Sequence, residues 1–270
     1  MISIFGGSGF IGGNYCKMFP NKVIKIKREE RQPKSKDILY FISTIDNYNV
    51  FDNLTLDVET NLKILCEVLE NCKNKEITFN FISSWFVYGD TSLPAKENAY
   101  CNPKGFYSIT KRAAEQLLIS FCETYEINYR ILRLCNVYGN QDQKVSKKKN
   151  AIQYMINLLK NNEDVFLYDK GDHLRDIMHV DDVCMAINII LENGKINKIY
   201  NVGSGHPTKI YDIMQIAKNY INSKSNFISI TAPKFYTIVQ PKNFWMNVDE
   251  LQELGFKQQI SLKEGIQSLC

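Results

Sequence analysis

The chain has 270 residues, 44% of them hydrophobic and 23% charged, with a net charge of +4. This composition excludes a disordered or fibrous chain, and the mild charge favours small anionic phosphates over nucleic acid as partner; the tight basic run Lys147-Lys148-Lys149 reads as a solvated loop. No apolar stretch is long enough for a membrane span, no charged leader precedes the strand that opens at Met1, and the eight cysteines and three histidines (His173, His179, His206) show no CxxC or metal-ligand spacing, so free thiols, no metal and a cytosolic location are expected.

Residues 2–5 are a short apolar run that stops at glycines, and a helical stretch follows over 10–19. Between them Gly7-Ser8-Gly9-Phe10-Ile11-Gly12 satisfies G-x-G-x-x-G, and Gly6, Gly9 and Gly12 also give G-x-x-G-x-x-G. Glycines let the backbone turn sharply and approach a pyrophosphate, which then meets the unpaired N–H groups and partial positive charge of the helix N-terminus. A plain turn uses the same residues, but the strand–loop–helix context is the one dinucleotide binding needs. Residues 22–26 alternate as a strand. Where an acidic residue would hold the ribose of NAD stand Lys27 and Arg28, followed by Glu29 and Glu30. The two cations suit the 2′-phosphate of NADP, so NADP(H) is the expected cofactor; NAD(H) is the alternative if a carboxylate of Glu29 or Glu30 reaches the ribose.

Residues 38–45 are a nearly continuous apolar run, as in a strand buried on both faces, with Ser43 near its end assigned to the cofactor. Residues 57–71 carry Val58, Leu62, Leu65 and Leu69 at helical spacing, and a second buried-strand run, 77–82, ends at Ser83-Ser84. A long helix follows over 106–125, then strand 129–135. This alternation predicts an α/β fold, a doubly wound parallel sheet. Beyond Gly139 come a lysine-rich loop, a helix at 151–159, a strand at 165–168, a helix at 180–191, a sheet strand at 199–202 and a helix at 211–220. The dinucleotide-binding part is expected over 1–139, with 174–205 returning to the sheet, and a smaller C-terminal substrate lobe over 140–173 and 206–270.

Tyr107-Ser108-Ile109-Thr110-Lys111 sets a phenol and an ammonium at i and i+4, on one face of the long helix. A free tyrosine titrates near ~10, too high to exchange protons easily at neutral pH. A nearby ammonium favours the phenolate and is expected to lower that value, making Tyr107 a usable acid or base. Such pairs also occur idly on exposed helices, so the company decides. Ser83-Ser84 ends a buried strand, where open α/β sheets bind their ligands.

Ser84-Trp85-Phe86-Val87-Tyr88-Gly89 resembles the S-x-x-V-Y-G segment of extended short-chain dehydrogenases/reductases. Asn102-Pro103 leading to Tyr107-x-x-x-Lys111-x-x-x-Glu115 is similar to their catalytic helix. So are Arg133-Leu134-Cys135-Asn136-Val137-Tyr138-Gly139, Arg175-Asp176-Ile177-Met178-His179-Val180-Asp181-Asp182 and Tyr200-Asn201-Val202-Gly203. The likeness runs from the glycine loop to near Gly265 and implies a Rossmann-type fold. It implies that Ser84 hydrogen-bonds the reacting oxygen, that Tyr107 exchanges its proton, and that Lys111 also holds the nicotinamide ribose. Asn136 and Arg175 match positions that contact the substrate's sugar or diphosphate, although Arg175 has a surface pair with Asp176 as its plainer use. Lys242 lies where relatives often carry a second phosphate-binding arginine; Phe244 and Trp245 are placed for core packing or for stacking on a base. A homodimer through the catalytic helix and its neighbour is implied by the resemblance alone.

Two departures from the family narrow the reaction. Its 4,6-dehydratases carry an Asp-Glu pair directly after the catalytic hydroxyl, where this chain has Trp85 and Phe86, so dehydration is not expected. Only residues 27–37 separate the second and third strands, where the family usually places a helix and another strand. The loss of that crossover opens the adenine end and loosens the cofactor, which suits a reductase that exchanges it each turnover. The expected activity is therefore NADPH-dependent reduction of an NDP-4-keto-(deoxy)sugar. The alternatives are a nucleotide-sugar epimerase with tightly held NAD and a non-catalytic NAD(P)-binding regulator. Residues 144–150 and 235–247 are expected to line the sugar site.

Overall fold

The computed structural model describes residues 1–140 and 151–270; Lys147-Lys148-Lys149 and the expected sugar-site stretch 144–150 lie outside the described residues. In chain order the strands are β1 (Ile2–Phe5), β2 (Val23–Lys25), β3 (Asp37–Tyr40), β4 (Thr78–Ser84), β5 (Asn128–Leu134) and β6 (Asn136–Tyr138). They continue with β7 (Val165–Tyr168), β8 (Leu174–Arg175), β9 (Ile177–His179), β10 (Lys198–Val202), β11 (Thr208–Lys209) and β12 (Phe227–Ile230). The helices are α1 (Phe10–Met18), α2 (Asn49–Asp52), α3 (Leu56–Val58), α4 (Ile64–Glu70), α5 (Phe106–Thr124) and α6 (Ala151–Lys160). After them come α7 (Val180–Asn193), α8 (Ile210–Ile221), α9 (Lys234–Val239), α10 (Asp249–Glu253) and α11 (Leu262–Leu269).

Six strands form one parallel sheet in the order β10-β5-β4-β3-β1-β2. Helices cover both faces, which is why the inner strands β3, β4 and β5 are buried along most of their length. On one face α1 and α7 supply Tyr15, Cys16, Val183 and Ile187 to a core with Leu39, Leu132 and Leu134. On the other, α4 and α5 supply Leu65, Val68, Ala114 and Leu118 against Phe79, Phe81 and Ile131. Each valine, leucine, isoleucine or phenylalanine among them, wholly withdrawn from water, contributes roughly 1.5–3 kcal/mol. A third core joins α6, β7, α8 and α11 through Ile156, Leu167, Ile213, Met214 and Ile266. Phe244, Met246, Val248, Leu251 and Phe256 pack into the first core instead, so the late chain returns to the sheet.

Three details position the site. The sheet ends at β2, and residues 26–36 lead straight to β3 with no helix between them. Next, β3 stops at Tyr40 rather than running to 45: its neighbour β1 ends at Phe5, and the last ladder bond in that direction is Phe41 N–H to the Phe5 carbonyl (2.9 Å). The chain then leaves the sheet at the carboxyl edge. Finally, the helix expected over 57–71 contains a π-helical turn, Glu59–Lys63, between α3 and α4. All eight cysteines are free, and no helix among the described residues is long and apolar enough to cross a membrane.

Candidate active site

The turn after β1 cannot be built from other residues. Gly6 has φ +80, and a Cβ on Gly12 would lie 2.6 Å from the Gly6 carbonyl oxygen. Gly9 is the N-cap of α1 and offers no side chain to its first N–H groups. A helix N-terminus left open in this way, behind a loop whose own backbone fills the space a Cβ would need, fits a dinucleotide pyrophosphate. Gly6, Gly9, Phe10, Ile11 and Gly12 all border one cleft of about 1800 Å³, which also receives Ser43, Ser84, Tyr107, Lys111, Asn136 and Arg175. Of the residues singled out in the sequence, Lys27, Arg28 and Lys242 do not line it; they are exposed, and the cations at the glycine loop are Lys17 and Lys25. The Lys25 stem reaches Gly7 at a distance of 3.4 Å from where its Cβ would be.

Ser84 ends β4, and α5 begins beside it. The start of α5 is held by Asn47, whose Oδ1 accepts from the Ser108 backbone N–H (3.2 Å) and hydroxyl (3.1 Å). Tyr107 is thereby placed in the first turn, buried, with the Ser84 and Ser43 hydroxyls flanking its phenol and the Phe86 ring edge-on at 5.9 Å. One turn on, Lys111 is also buried; its Nζ donates to the Ile82 carbonyl (2.7 Å) and lies over the Phe81 ring at 4.1 Å. The electrostatics differ from the expected lowering of the phenol by its ammonium neighbour. Burial pushes Tyr107 up to about 12, with the Ser84 and Ser43 hydroxyls opposing and the Asp57 and Asp46 carboxylates adding. Burial pushes Lys111 down to about 7, against the pull of Glu115. In an interior of low dielectric, desolvation outweighs a cation that is engaged elsewhere.

Ser83, next to Ser84, serves structure: with Arg133 and Arg112 it binds the Glu115 carboxylate, and Arg133 does so through both Nε (3.0 Å) and Nη2 (2.8 Å). Trp85 and Phe86 stack at 4.0 Å, and Trp85 meets Phe244 at 4.7 Å, so Phe244 is a core residue.

At the far end of the cleft Arg175 is buried rather than paired at the surface. It donates to the Leu174 (2.8 Å) and Lys242 (2.6 Å) carbonyls and to the Tyr236 hydroxyl (3.0 Å). Asp176 is turned away and accepts from the backbone N–H groups of Ser204, Gly205 and Met246. Asn136 donates to the Asp176 carbonyl (3.1 Å). From the expected stretch 235–247, Tyr236, Val239 and Gln240 border the cleft. Sequence reasoning missed His173, which bonds Asp169 through Nε2 (2.9 Å) and faces Tyr236, while Phe235 packs on Tyr48 and Phe51. It also missed Thr44, Asp57 and Asn61, for which no spacing signal exists.

A sequence profile described as the NAD dependent epimerase/dehydratase family matches residues 42–203. The chain belongs to this family. The match starts beyond the glycine loop and the shortened 26–36 link. Among relatives of this family member, a provisionally named UDP-glucose 4-epimerase of Methanocaldococcus jannaschii is 28% identical, over 98% of this chain and 96% of that protein. The dTDP-D-glucose 4,6-dehydratase of Dictyostelium discoideum is 26% identical over 81% of this chain and 60% of its own length. The UDP-glucose 4-epimerase of Thermotoga maritima, solved with UDP-glucose, superposes with a TM-score of 0.88 at 20% identity, covering 99% of this chain and 96% of that one. The Pseudomonas aeruginosa protein RMD, solved with NADPH, does so at 0.86 and 21%, with the same coverage. At those identities the likeness establishes the Rossmann-type fold.

Proposed function

We propose that this family member is an NAD(P)H-dependent ketoreductase acting on a nucleotide-diphosphate keto sugar, with Ser84, Tyr107 and Lys111 as its catalytic residues. The substrate class follows from the family and from the nucleotide-sugar names of its relatives. Bound along the glycine cradle, NADPH supplies a hydride to the carbonyl carbon. Ser84 donates a hydrogen bond to the carbonyl oxygen, and Tyr107 gives that oxygen its proton as negative charge develops. Lys111 holds the nicotinamide ribose, and Arg175 and Asn136 receive the diphosphate and sugar. Lys17 and Lys25, bordering the cleft beside the glycine loop, favour the 2′-phosphate of NADP(H) over NAD(H).

The observation that carries this reading is the sheet's end at β2. With no crossover between β2 and β3, the adenine end of the cofactor lies open, which permits exchange at every turnover. The stacked Trp85 and Phe86 put no carboxylate directly after Ser84, which disfavours elimination of water. The free thiols fit a cytosolic enzyme. The apolar outer face of α5, with Phe106, Ile109 and Leu117 exposed, fits a homodimer. A second reading, epimerisation with retained NAD, is favoured by the name of the relative that matches 98% of the chain. Purified protein separates the two. Reduction expects no copurified nicotinamide and one NADPH consumed per NDP-4-keto sugar; retained NAD with no net consumption establishes the epimerase instead.

A further inference from the structure

A chain of polar side chains, half-buried at Ser43 and Thr44 and buried at Asn61 and Asp57, leads from the Tyr107 phenol to a carboxylate. The Ser43 hydroxyl, which flanks the phenol, donates to Asn61 Oδ1 (3.0 Å), and the Thr44 backbone N–H donates to the same oxygen (2.8 Å). A backbone N–H can only donate, so this contact decides which way the Asn61 amide faces. Asn61 Nδ2 then donates to the Thr44 (2.8 Å) and Thr110 (2.9 Å) hydroxyl oxygens. Thr110 passes its hydrogen to the Phe106 carbonyl (2.8 Å); Thr44 passes its hydrogen to Asp57 Oδ1, which also accepts from Asn49 Nδ2 (3.0 Å). A hydroxyl has one hydrogen to give. Ser43 has committed its own to Asn61, so toward Tyr107 it can only accept.

We infer that Asp57 is a positioning residue for the proposed reduction: anchoring the far end of the Thr44–Asn61–Ser43 chain, it makes Ser43 an acceptor and holds Tyr107 as a proton donor. Asp57 is 1% exposed, and its Oδ2 has no hydrogen-bond partner. An incompletely satisfied buried carboxylate keeps a negative potential that a phenolate nearby must oppose. The other groups facing the phenol are Asp46, which acts in the same sense, and Ser84 from β4, which opposes it; Ser43 opposes it too wherever its hydrogen turns to the phenol, and the contact with Asn61 is what withholds that hydrogen. The nearest ammonium on its own helix, Lys111, is turned to the Ile82 carbonyl. Reduction needs a tyrosine that gives its proton to the carbonyl oxygen. Oxidation, the first half of an epimerase cycle, needs one that takes a proton, and this chain opposes it.

The test is a phenolate absorbance titration of the whole protein, read as the difference from Tyr107→Phe. The wild-type difference signal is expected to stay flat through the ordinary tyrosine range near ~10. Asp57→Asn, which keeps the shape and removes the charge, and Asn61→Leu, which cuts the chain, should each bring a Tyr107 ionisation down by about one pH unit. A merely structural role moves the melting temperature and leaves the midpoint in place. Unchanged midpoints in the folded variants overturn the inference, and Asn61→Leu decides alone if Asp57→Asn does not fold. No substrate is used, so a shifted midpoint without NADPH consumption sinks the reductase reading and leaves the Asp57 chain standing.

Discussion

Burial acts on the two ends of the Tyr107–Lys111 pair in opposite chemical senses. It keeps the phenol protonated and strips charge from the ammonium, whose value is pushed down to about 7. Because that value lies below the ordinary lysine one, Lys111 is a cation only beneath about 7 in the free protein. NADPH affinity should therefore weaken as pH rises through neutrality, and Lys111→Met should give a weaker affinity with no such slope; calorimetric titration across pH checks both. Tyr107→Phe should lower kcat by about 10²–10⁴-fold, the usual worth of a positioned acid, with the melting temperature unchanged. The Glu115–Arg133 pair belongs to stability instead. Both groups are fully buried, so Glu115→Gln, leaving a guanidinium without its counter-charge, should cost about 3–5 kcal/mol in urea unfolding. Burial alone would raise the Glu115 carboxyl, but Arg133, Ser83 and Arg112 outweigh it and hold the value below the ordinary carboxylate range. A depressed folded value means that the pair's contribution is complete above the unfolded value near ~4.3 and is lost as pH falls through the folded one.

Local sequence rules carried most of the elements. The α5 start was legible because apolar periodicity begins at Phe106, and its register put Tyr107 and Lys111 on one face, as found. Its cap was not legible, since Asn47 reaches Ser108 from the loop after β3. Asn47→Ala should cost about 1 kcal/mol and loosen the first turn of α5, read as a lower melting temperature together with a fall in kcat. The glycine loop was legible for the opposite reason: a backbone that must take φ +80 at Gly6 and tolerate no Cβ at Gly12 leaves few residue choices. Gly12→Ala should abolish NADPH binding measured by nicotinamide fluorescence, because the atom it would strike is backbone. The end of β3 was misread since Phe41 and Ile42 are as apolar as a strand requires, and only the shortness of β1 stops the ladder. The π-turn at Glu59–Lys63 has no periodicity of its own, so nothing in the sequence marks Asn61, which the fold buries.

At the scale of the molecule, the truncated sheet edge and the exposed apolar face of α5 are the features that distinguish this chain from a generic nucleotide-binding layer. If α5 pairs with its copy, Ile109→Glu should convert a dimer into a monomer by sedimentation velocity without loss of the Rossmann core, because Ile109 is 48% exposed and packs on nothing essential to that core. The amino-acid sequence by itself determined the alternation of strands and helices, the glycine turn after β1, the Tyr–Lys register and the missing crossover. Those are set by periodicity, chain length and backbone sterics within a few residues. The tertiary structure alone decided that Lys17 and Lys25, not Lys27 and Arg28, border the cleft, that Asp57 is tied to a phenol fifty positions away, and that Tyr107 is held protonated rather than ionised. Desolvation and through-space charge depend on what surrounds a group from every side, and that surrounding exists only once distant segments have packed.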